Sequence, residues 1–269
     1  INKIAQRELK KRKGLNSTVV PNVFDFKQPL WQEDQYNQDL RKKLGIKEDD
    51  LVVLHATRIA ERKAIELAIE FTAKLQNENL SGSLYDSRSF DEENRVVFLL
   101  PGLTEDNDQY QEFLDQQAEE HKVELIWADE LFAHQRQQQD GEKIYSLWDS
   151  YAISDLITYT SIKEGWGNQL LEALFAKKPV VVLEYPVFQS DIKEHNLELA
   201  SLGGEYSRRK DGYIKIEEEK YEPALKEALK YLKDGDYRKK AVEKNFETAA
   251  ENFSYQRLEE LLKGLLKQL

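Results

Sequence analysis

The stretch SDLITYTSIKEGWGNQLLEALFAKKPVVV, residues 154–182, decides the fold prediction. It contains one apolar run of strand length, 156–159, and all but the last residue of a second, 179–183, with a helical pattern over 168–176 between them. Continuous apolar runs are typical of strands that are buried on both faces of a parallel sheet. The stretch therefore predicts a strand, a glycine-containing loop, a helix and a second parallel strand.

The same alternation extends in both directions from this stretch. Further strands are predicted at 51–54, 95–100 and 123–127, and further helices at 65–75, 107–121 and 144–152. Strands that alternate with helices favour an α/β fold with a doubly wound, mostly parallel, Rossmann-like sheet. The loops that follow such strands share one edge of the sheet, where ligands bind.

The segments outside this alternation receive simpler predictions. Residues 221–269 are expected to form a helical C-terminal tail, and residues 77–94 a polar, exposed excursion. Residues 129–142 look like a loop. Near the N-terminus, we expect a basic helix over 2–13 that stops at Gly14, a short strand over 18–20 and a helix over 39–44.

Composition excludes several classes of protein. The 269 residues have a net charge of −11, which argues against generic binding to nucleic-acid phosphates. No apolar run approaches the ~20 residues that a membrane span needs. The chain has no cysteine, which excludes disulfides and thiolate ligands and fits a reducing cytoplasm, the expected location. The four histidines show no pair at the spacing of a zinc motif, and we expect no metal site.

The loop after strand 51–54 is rich in cations. It reads Thr57-Arg58-Ile59-Ala60-Glu61-Arg62-Lys63 and lies at the predicted ligand edge. Arginine offers a planar fork of donors and lysine a flexible point charge, a combination that suits a diphosphate. A solvated basic loop beside Glu61 and Glu66 would have the same composition, and because charged loops are common, this segment alone favours that interpretation.

The loop after strand 156–159 is more specific. It reads Glu164-Gly165-Trp166-Gly167-Asn168-Gln169-Leu170-Leu171-Glu172 and opens a helix. Glycines without a Cβ let the backbone approach a ligand, and the start of the helix offers free N–H groups to phosphate oxygens. The two glutamates can accept paired hydrogen bonds from vicinal hydroxyls, one from a ribose and the other from a hexose. A tight turn with surface glutamates is the alternative.

Residues 154–182 resemble the signature of the family-4 retaining glycosyltransferases, with its two glutamates separated by seven residues at Glu164 and Glu172. The loop from Arg58 to Lys63 is similar to the family's glycine-arginine…lysine-glycine loop, although Thr57 and Ala64 replace the glycines. Residues 20–25, VPNVFD, resemble the family's interdomain linker.

This resemblance implies a role for each candidate residue. Arg58 and Lys63 would neutralise the donor diphosphate, Glu172 would hold the ribose and Glu164 would contact the transferred sugar. The remaining donor-binding residues would be Gly165, Trp166, Gly167, Asn168 and Leu171. The donor would be a nucleoside diphosphate sugar, bound as a substrate and without a cofactor or metal.

The resemblance also implies a domain organisation. Residues 1–20 would be a remnant of a preceding domain and its linker, and residues 21–269 the nucleotide-sugar-binding domain of a GT-B hexosyltransferase. The partner would be an N-terminal acceptor-binding domain, without which this chain would be inactive. A non-catalytic nucleotide-sugar-binding module is the main alternative, and a GT-B phosphorylase or epimerase is a third.

Four other polar or aromatic residues have open interpretations. His134 and Arg136 could reach a phosphate from their loop or could simply be solvated. Trp127 could lie near the base or pack in the core. His55 follows the first buried strand and is interpreted as a satisfied polar residue at its end.

Overall fold

The computed structural model describes residues 2–105, 108–139 and 141–267. No helix within these ranges is long and apolar enough to cross a lipid bilayer. The helices are α1 Lys3–Lys13, α2 Leu40–Lys43, α3 Ile65–Gln76, α4 Asp108–His121, α5 Leu147–Ala152, α6 Asn168–Phe175, α7 Tyr221–Lys233, α8 Gly235–Phe253 and α9 Tyr255–Leu266. Short 3₁₀ turns occur at Glu61–Lys63, Asp129–Leu131, Lys193–His195 and Glu218–Lys220, and a π-helical turn at Phe188–Ile192.

The strands form one large sheet and three small ones. They are β1 Leu51–Leu54, β2 Gly82–Ser83, β3 Ser89–Phe90, β4 Val96–Leu100, β5 Glu124–Trp127, β6 Phe132–Ala133, β7 Gln137–Gln139, β8 Glu142–Ser146, β9 Leu156–Tyr159, β10 Val180–Val182, β11 Ala200–Ser201, β12 Ser207–Arg208 and β13 Ile214–Lys215. The large sheet has the order β11-β10-β9-β1-β4-β5, and its paired strands are parallel. This is the order of a Rossmann sheet, with the switch point between β1 and β9.

Helices cover both faces of this sheet, as the doubly wound prediction requires. Alternate residues of β1 point into two separate cores: Leu51 and Val53 join helices α3, α4 and α7, whereas Val52 and Leu54 join α5, α6 and α8. All four side chains are buried, which explains why the strand has a continuous apolar run. The fold class is therefore confirmed, together with the helical tail from α7 to α9.

Most predicted elements are confirmed to within a residue or two, including the stop of α1 at Gly14, where φ is +68°. Residue 107 of the fourth helix prediction and residues 268–269 of the tail lie outside the described residues. The strand predicted over 18–20 is wrong, because these residues form no ladder. β-Branched side chains alone do not make a strand when no neighbouring strand is in reach.

The helix predicted over 144–152 is also wrong in its first three residues. Residues 142–146 form strand β8, and helix α5 begins only at Leu147. Ser146 caps this helix, and the carboxylate of Asp149 accepts the Ser146 backbone N–H at 2.8 Å. This capping box fixes where the helix can start, which the apolar periodicity did not reveal.

Two segments predicted as irregular are ordered. Within 129–142, short strands β6 and β7 flank β8 in a small sheet. Residues 77–94 contain the hairpin of β2 and β3, and they bury Leu80, Leu84 and Phe90 against the core. Each of these segments packs through only a few apolar residues, which polar residues separate in the sequence. Their packing was therefore not predicted from their composition.

A buried carboxylate locks the amino ends of β1 and β9 together. Asp155 accepts the Val52 backbone N–H at 2.8 Å and the Tyr85 hydroxyl at 2.8 Å. Arg88 completes the group by forming an ion pair with the same carboxylate. This arrangement lies at the end of the sheet opposite to the loops that follow the strands.

A second buried carboxylate joins three elements beside the sheet. Glu66, at the start of α3, is fully buried. It accepts the Ile214 backbone N–H at 2.8 Å and the Tyr110 hydroxyl at 2.6 Å. Burial outweighs these hydrogen bonds and raises the pKa of Glu66 to about 7.

This raised pKa predicts that the stability contributed by Glu66 depends on pH. The folded state holds the proton more tightly than the unfolded chain, whose glutamate titrates near pH ~4.3. The contribution is therefore complete below that pH and is lost as the pH rises towards 7. In urea unfolding, raising the pH from 5 to 8 should cost the wild type about 2 kcal/mol relative to Glu66→Gln.

Glu247→Gln removes an exposed carboxylate on α8 and controls for the change in net charge. A wild-type-minus-variant difference for Glu66→Gln that stays flat from pH 5 to 8 would show that Glu66 has an ordinary pKa.

Candidate functional site

The switch point of the sheet brings the two predicted loops together. The loop after β1 begins at His55, and the loop after β9 begins at Thr160. The Ile162 backbone N–H donates to the Arg62 carbonyl at 2.9 Å, and the Thr160 hydroxyl contacts the carbonyls of Lys63 and Ala64. These bonds fix the cation-rich loop against the Glu164 loop.

Lys63 and Glu164 form a buried ion pair between these loops. The Lys63 side chain is only 4% exposed and that of Glu164 14% exposed, and the ammonium donates to the Glu164 carboxylate. The same ammonium lies 5.7 Å from the centre of the Tyr159 ring. Because an unpaired buried charge is costly, each member of this pair requires the other.

The backbone takes an uncommon conformation at Ala64, directly after the lysine. Ala64 has φ of +46°, in the left-handed region, and ends the 3₁₀ turn Glu61–Lys63 just before α3. This is one of the two positions where the resembled family has glycine, the residue that adopts such a φ most readily. The chain keeps the left-handed turn without the glycine.

His55 lies beneath this pair and is neutral. It is fully buried, and its Nδ1 lies 3.0 Å from the Thr158 hydroxyl. Burial, together with the positive charge of Lys63, lowers the pKa of His55 to about 3. The interpretation of His55 as a satisfied polar residue is met at Nδ1 but not at Nε2, which is buried without a hydrogen-bond partner.

Two arginines add exposed positive charge at the mouth of the site. The Arg62 guanidinium forms two hydrogen bonds with Glu105, at 3.0 and 3.3 Å. Arg58 lies 3.6 Å from the same carboxylate, and its side chain is 70% exposed. Arg62 belongs to the predicted cation-rich loop but was given no role of its own, and Glu105 was not singled out from the sequence.

A cleft of about 350 Å³ opens between the two loops. Its cations are Arg58, Arg62 and Lys63, and Glu164 contributes the carboxylate. The other lining residues are Asn22, Gly165, Trp166, Gly167, Asn168 and Gln169. We call it the cationic cleft. It brings together all but two of the predicted site residues, Leu171 and Glu172.

A second cleft, of about 430 Å³, adjoins the first and shares Arg58 and Gln169 with it. We call it the aromatic cleft, because its walls include Phe132 and Trp148. Its other lining residues are Ala56, Thr57, Pro101, Gly102, Leu103, Ala133, His134, Leu147 and Glu172. The adjoining clefts form one elongated site along the carboxyl edge of the sheet.

Glu172 provides the carboxylate of the aromatic cleft. It lies on α6, whereas Glu164 precedes the helix, so the two glutamates reach different clefts. The Tyr151 hydroxyl donates to Glu172 at 3.0 Å, and burial raises the pKa of Glu172. A partly desolvated carboxylate with one oxygen already engaged is suited to accept hydroxyl donors with the other.

The two glycines of the Glu164 loop have different reasons to be glycine. At Gly167, φ is +128°, and a Cβ would lie 2.1 Å from the Tyr185 hydroxyl, which donates to the Trp166 carbonyl. At Gly165, a Cβ would meet nothing within 4 Å. Gly167 is therefore required by the protein's own packing, whereas Gly165 leaves open space beside the cleft.

Three other predicted donor-binding residues occupy different environments. The Trp166 ring is buried and packs edge-on against Phe253 at 5.7 Å, so its backbone is the part best placed to face a ligand. Asn168 is exposed and accepts a hydrogen bond from Asn22 at 2.8 Å. Leu171 is buried in the hydrophobic core and lines neither cleft.

The remaining candidates separate clearly. His134 lines the aromatic cleft, with its ring 5.2 Å from Trp148. Arg136 forms ion pairs with Asp34 and Asp149. Trp127 lines neither cleft and donates to Asp115.

Residues 101–103, which form one wall of the aromatic cleft, were not predicted to be part of the site. Their signal was Pro101-Gly102 directly after β4, the strand beside β1. A Cβ on Gly102 would clash with the Thr57 carbonyl at 1.7 Å, so the two loops touch. In the described parts of the chain, no three or more His, Asp or Glu side chains form a group that could hold a metal ion.

Gly167→Ala should destabilise the protein, because it combines a left-handed backbone with a clash against Tyr185. We expect the free energy of unfolding to fall by about 2 kcal/mol or more, measured by urea denaturation. Gly165→Ala is the matched control two residues away and should change it by less than ~1 kcal/mol. Equal effects of both substitutions would contradict this account of Gly167.

The chain matches the sequence profile of the glycosyl transferases group 1 over residues 37–248. It is 44% identical over 239 residues to the mannosylglucosylglycerate synthase of Petrotoga mobilis, covering 87% of this chain and 54% of that protein. It is 40% identical over 266 residues to the protein of the same name from Thermotoga maritima, covering 97% and 59%. The chain thus spans little more than half the length of these relatives.

The fold is similar to that of the Anabaena protein Alr3699/HepE, solved in complex with UDP and glucose. The TM-score is 0.63 at 18% identity, and the match covers 100% of this chain and 62% of the other. This likeness concerns the fold, whereas the profile match includes the loops after both β1 and β9. The chain belongs to the glycosyl transferases group 1 and has a Rossmann-like domain of the GT-B architecture.

Proposed function

We propose that this chain is the donor-binding half of a retaining glycosyltransferase of family 4. The observation that supports this most directly is the elongated site at the switch point. There, the cations after β1 face Glu164 in the cationic cleft, and Glu172 lies in the adjoining aromatic cleft. A nucleoside diphosphate sugar has the same order of groups: a base and ribose, two phosphates, and a sugar.

In this proposal, the cationic cleft binds the diphosphate. Arg58 and Lys63 neutralise the phosphates and stabilise the negative charge that develops on the leaving nucleoside diphosphate. The start of α6 adds backbone N–H groups of the kind that bind phosphate oxygens. These groups would neutralise the phosphate charge. The donor itself is a substrate, whose nucleoside diphosphate leaves as a product, so we propose no resident cofactor.

The aromatic cleft would bind the nucleoside. Glu172 accepts hydrogen bonds from the ribose hydroxyls, and the rings of Phe132, His134 and Trp148 offer flat apolar surface to the base. Glu172 is already held by Tyr151, which orients the carboxylate before the ligand arrives. The nucleoside therefore meets a preorganised site.

Glu164 would contact the transferred sugar at the opposite end. Its ion pair with Lys63 joins the sugar end and the phosphate end of the site through one buried contact. Gly165 leaves open space for the hexose, and the Trp166, Gly167 and Asn168 backbone borders it. Leu171, in the core, would support the helix rather than contact the donor.

The names of the two relatives suggest the reaction. Both are mannosylglucosylglycerate synthases, so we propose that a mannosyl group is transferred to glucosylglycerate. The family resemblance implies that the acceptor is bound by a further, N-terminal domain, and the relatives, of which this chain spans 54% and 59%, are long enough to contain one. The chain alone would bind the donor without transferring its sugar.

Donor binding can be tested by calorimetry with UDP, GDP and ADP, their mannose and glucose conjugates, and inorganic pyrophosphate. Lys63→Ala should weaken binding of the preferred nucleotide and of pyrophosphate at least ~10-fold, because the phosphates of both ligands would contact the cations of the cleft. Glu172→Gln should weaken binding of the nucleotide about 10-fold but leave pyrophosphate binding unchanged, because pyrophosphate has no ribose.

Two further variants protect this test from misreading. Lys63→Ala leaves Glu164 unpaired and can destabilise the fold. Arg58 is mostly exposed, so Arg58→Ala should leave the protein folded and weaken binding of both ligands. Lys239→Ala removes an exposed charge on α8 and should leave binding unchanged. Normal nucleotide binding by both Arg58→Ala and Glu172→Gln would refute the site assignment.

Transfer can be tested by supplying a nucleoside diphosphate mannose and glucosylglycerate. A longer protein that joins this chain to an acceptor-binding domain should form mannosylglucosylglycerate. The new mannosyl bond should keep the anomeric configuration of the donor, which NMR of the product can determine. This chain alone should form none. An inverted product would contradict retention, and nucleotide binding without transfer in the longer protein would favour a non-catalytic binding module.

A further inference from the structure

Glu105 bridges both arginines of the cationic cleft. One carboxylate oxygen lies 3.0 Å from Arg62 Nη2 and 3.6 Å from Arg58 Nη1, and the other lies 3.3 Å from Arg62 Nη1. The carboxylate thus offers two oxygens to two guanidinium groups, as a phosphate would. It comes from the loop after β4, not from either loop of the predicted site.

The backbone fixes Glu105 in this position. Beyond the end of β1, Ile59 forms an isolated parallel bridge with Thr104. The Ile59 N–H donates to the Leu103 carbonyl at 2.9 Å, and the Glu105 N–H donates to the Ile59 carbonyl at 3.1 Å. Glu105 is therefore held beside the cation loop by main-chain hydrogen bonds and does not merely reach it with a long side chain.

Two carboxylates therefore offset two of the three positive charges of the cleft before any ligand binds. Glu105 pairs with Arg58 and Arg62, and Glu164 pairs with Lys63. The two carboxylates are not equivalent. Glu164 is largely buried with Lys63, whereas the Glu105 side chain is 41% exposed and can turn into solvent.

We propose that Glu105 is an internal counter-anion that the donor diphosphate displaces from Arg58 and Arg62. This proposal rests on the proposed donor site and adds to it a residue that sets affinity. The carboxylate competes with the phosphates for the same guanidinium donors, and it pairs with them again when the nucleoside diphosphate leaves. Glu105 is a positioning residue: it lowers the affinity for phosphates in order to hasten release of the more highly charged product.

The test is calorimetry with Glu105→Gln, which preserves the shape of the side chain and removes its charge. The variant should bind inorganic pyrophosphate, and the nucleoside diphosphate that the wild type prefers, about 3- to 10-fold more tightly at low ionic strength. The gain should shrink as salt is added, because the screening length falls from ~30 Å at 0.01 M to ~3 Å at 1 M.

Glu247→Gln is the matched control, since it removes one exposed negative charge far along the chain on α8 and should bind as the wild type does. The proposal would be overturned if Glu105→Gln bound these ligands no more tightly than the wild type. The donor site would still stand in that case, provided that the wild type binds them and Arg58→Ala weakens the binding. Absence of binding in the wild type and in all variants would overturn the donor site and this proposal together.

Discussion

The parallel pairing of β1 between β4 and β9 is the constraint on which the rest of the site depends. Leu51 pairs with Val96 on one side, and Val53 pairs with Leu156 on the other, so the carboxyl ends of the three strands lie side by side. The loops that follow them provide the arginines and Lys63, then Glu105, then Glu164. No two of these loops are adjacent in the sequence, and the strand register alone brings them into contact.

The second requirement is electrostatic. The chain has a net charge of −11, yet its site concentrates three cations in one cleft. Burying the Lys63 ammonium is possible because Glu164 is buried with it, and the neutral His55 below adds no further positive charge. Carboxylates thus make it possible to assemble a cationic site in an acidic protein, and they are also the groups with which an anionic ligand must compete.

The sequence predicted those parts of the molecule that depend on continuous apolar runs and short-range motifs. Strands β1, β4, β5, β9 and β10 belong to this class, and so does the position of Lys63 and Glu164 in loops at one edge of the sheet, whereas the edge strand β11 was not predicted. It could not reveal Glu105, because a polar residue after a strand becomes meaningful only when the neighbouring strand is known. It also missed β8, whose boundary is set by the capping of α5 at Ser146. The burial of Leu171 follows from the rotation of α6, which a local motif does not specify. The fold was therefore more predictable than the contacts between loops.

The bridge between Ile59 and Thr104 has a dynamic consequence. The amide protons of Ile59 and Glu105 are each engaged by the opposite loop, so neither can reach solvent unless the two loops part. Their hydrogen–deuterium exchange should consequently occur through one shared opening, although they lie 46 positions apart in the chain. Exchange at this pair of amides therefore reports motion at the mouth of the cleft, without a probe having to be attached to the protein.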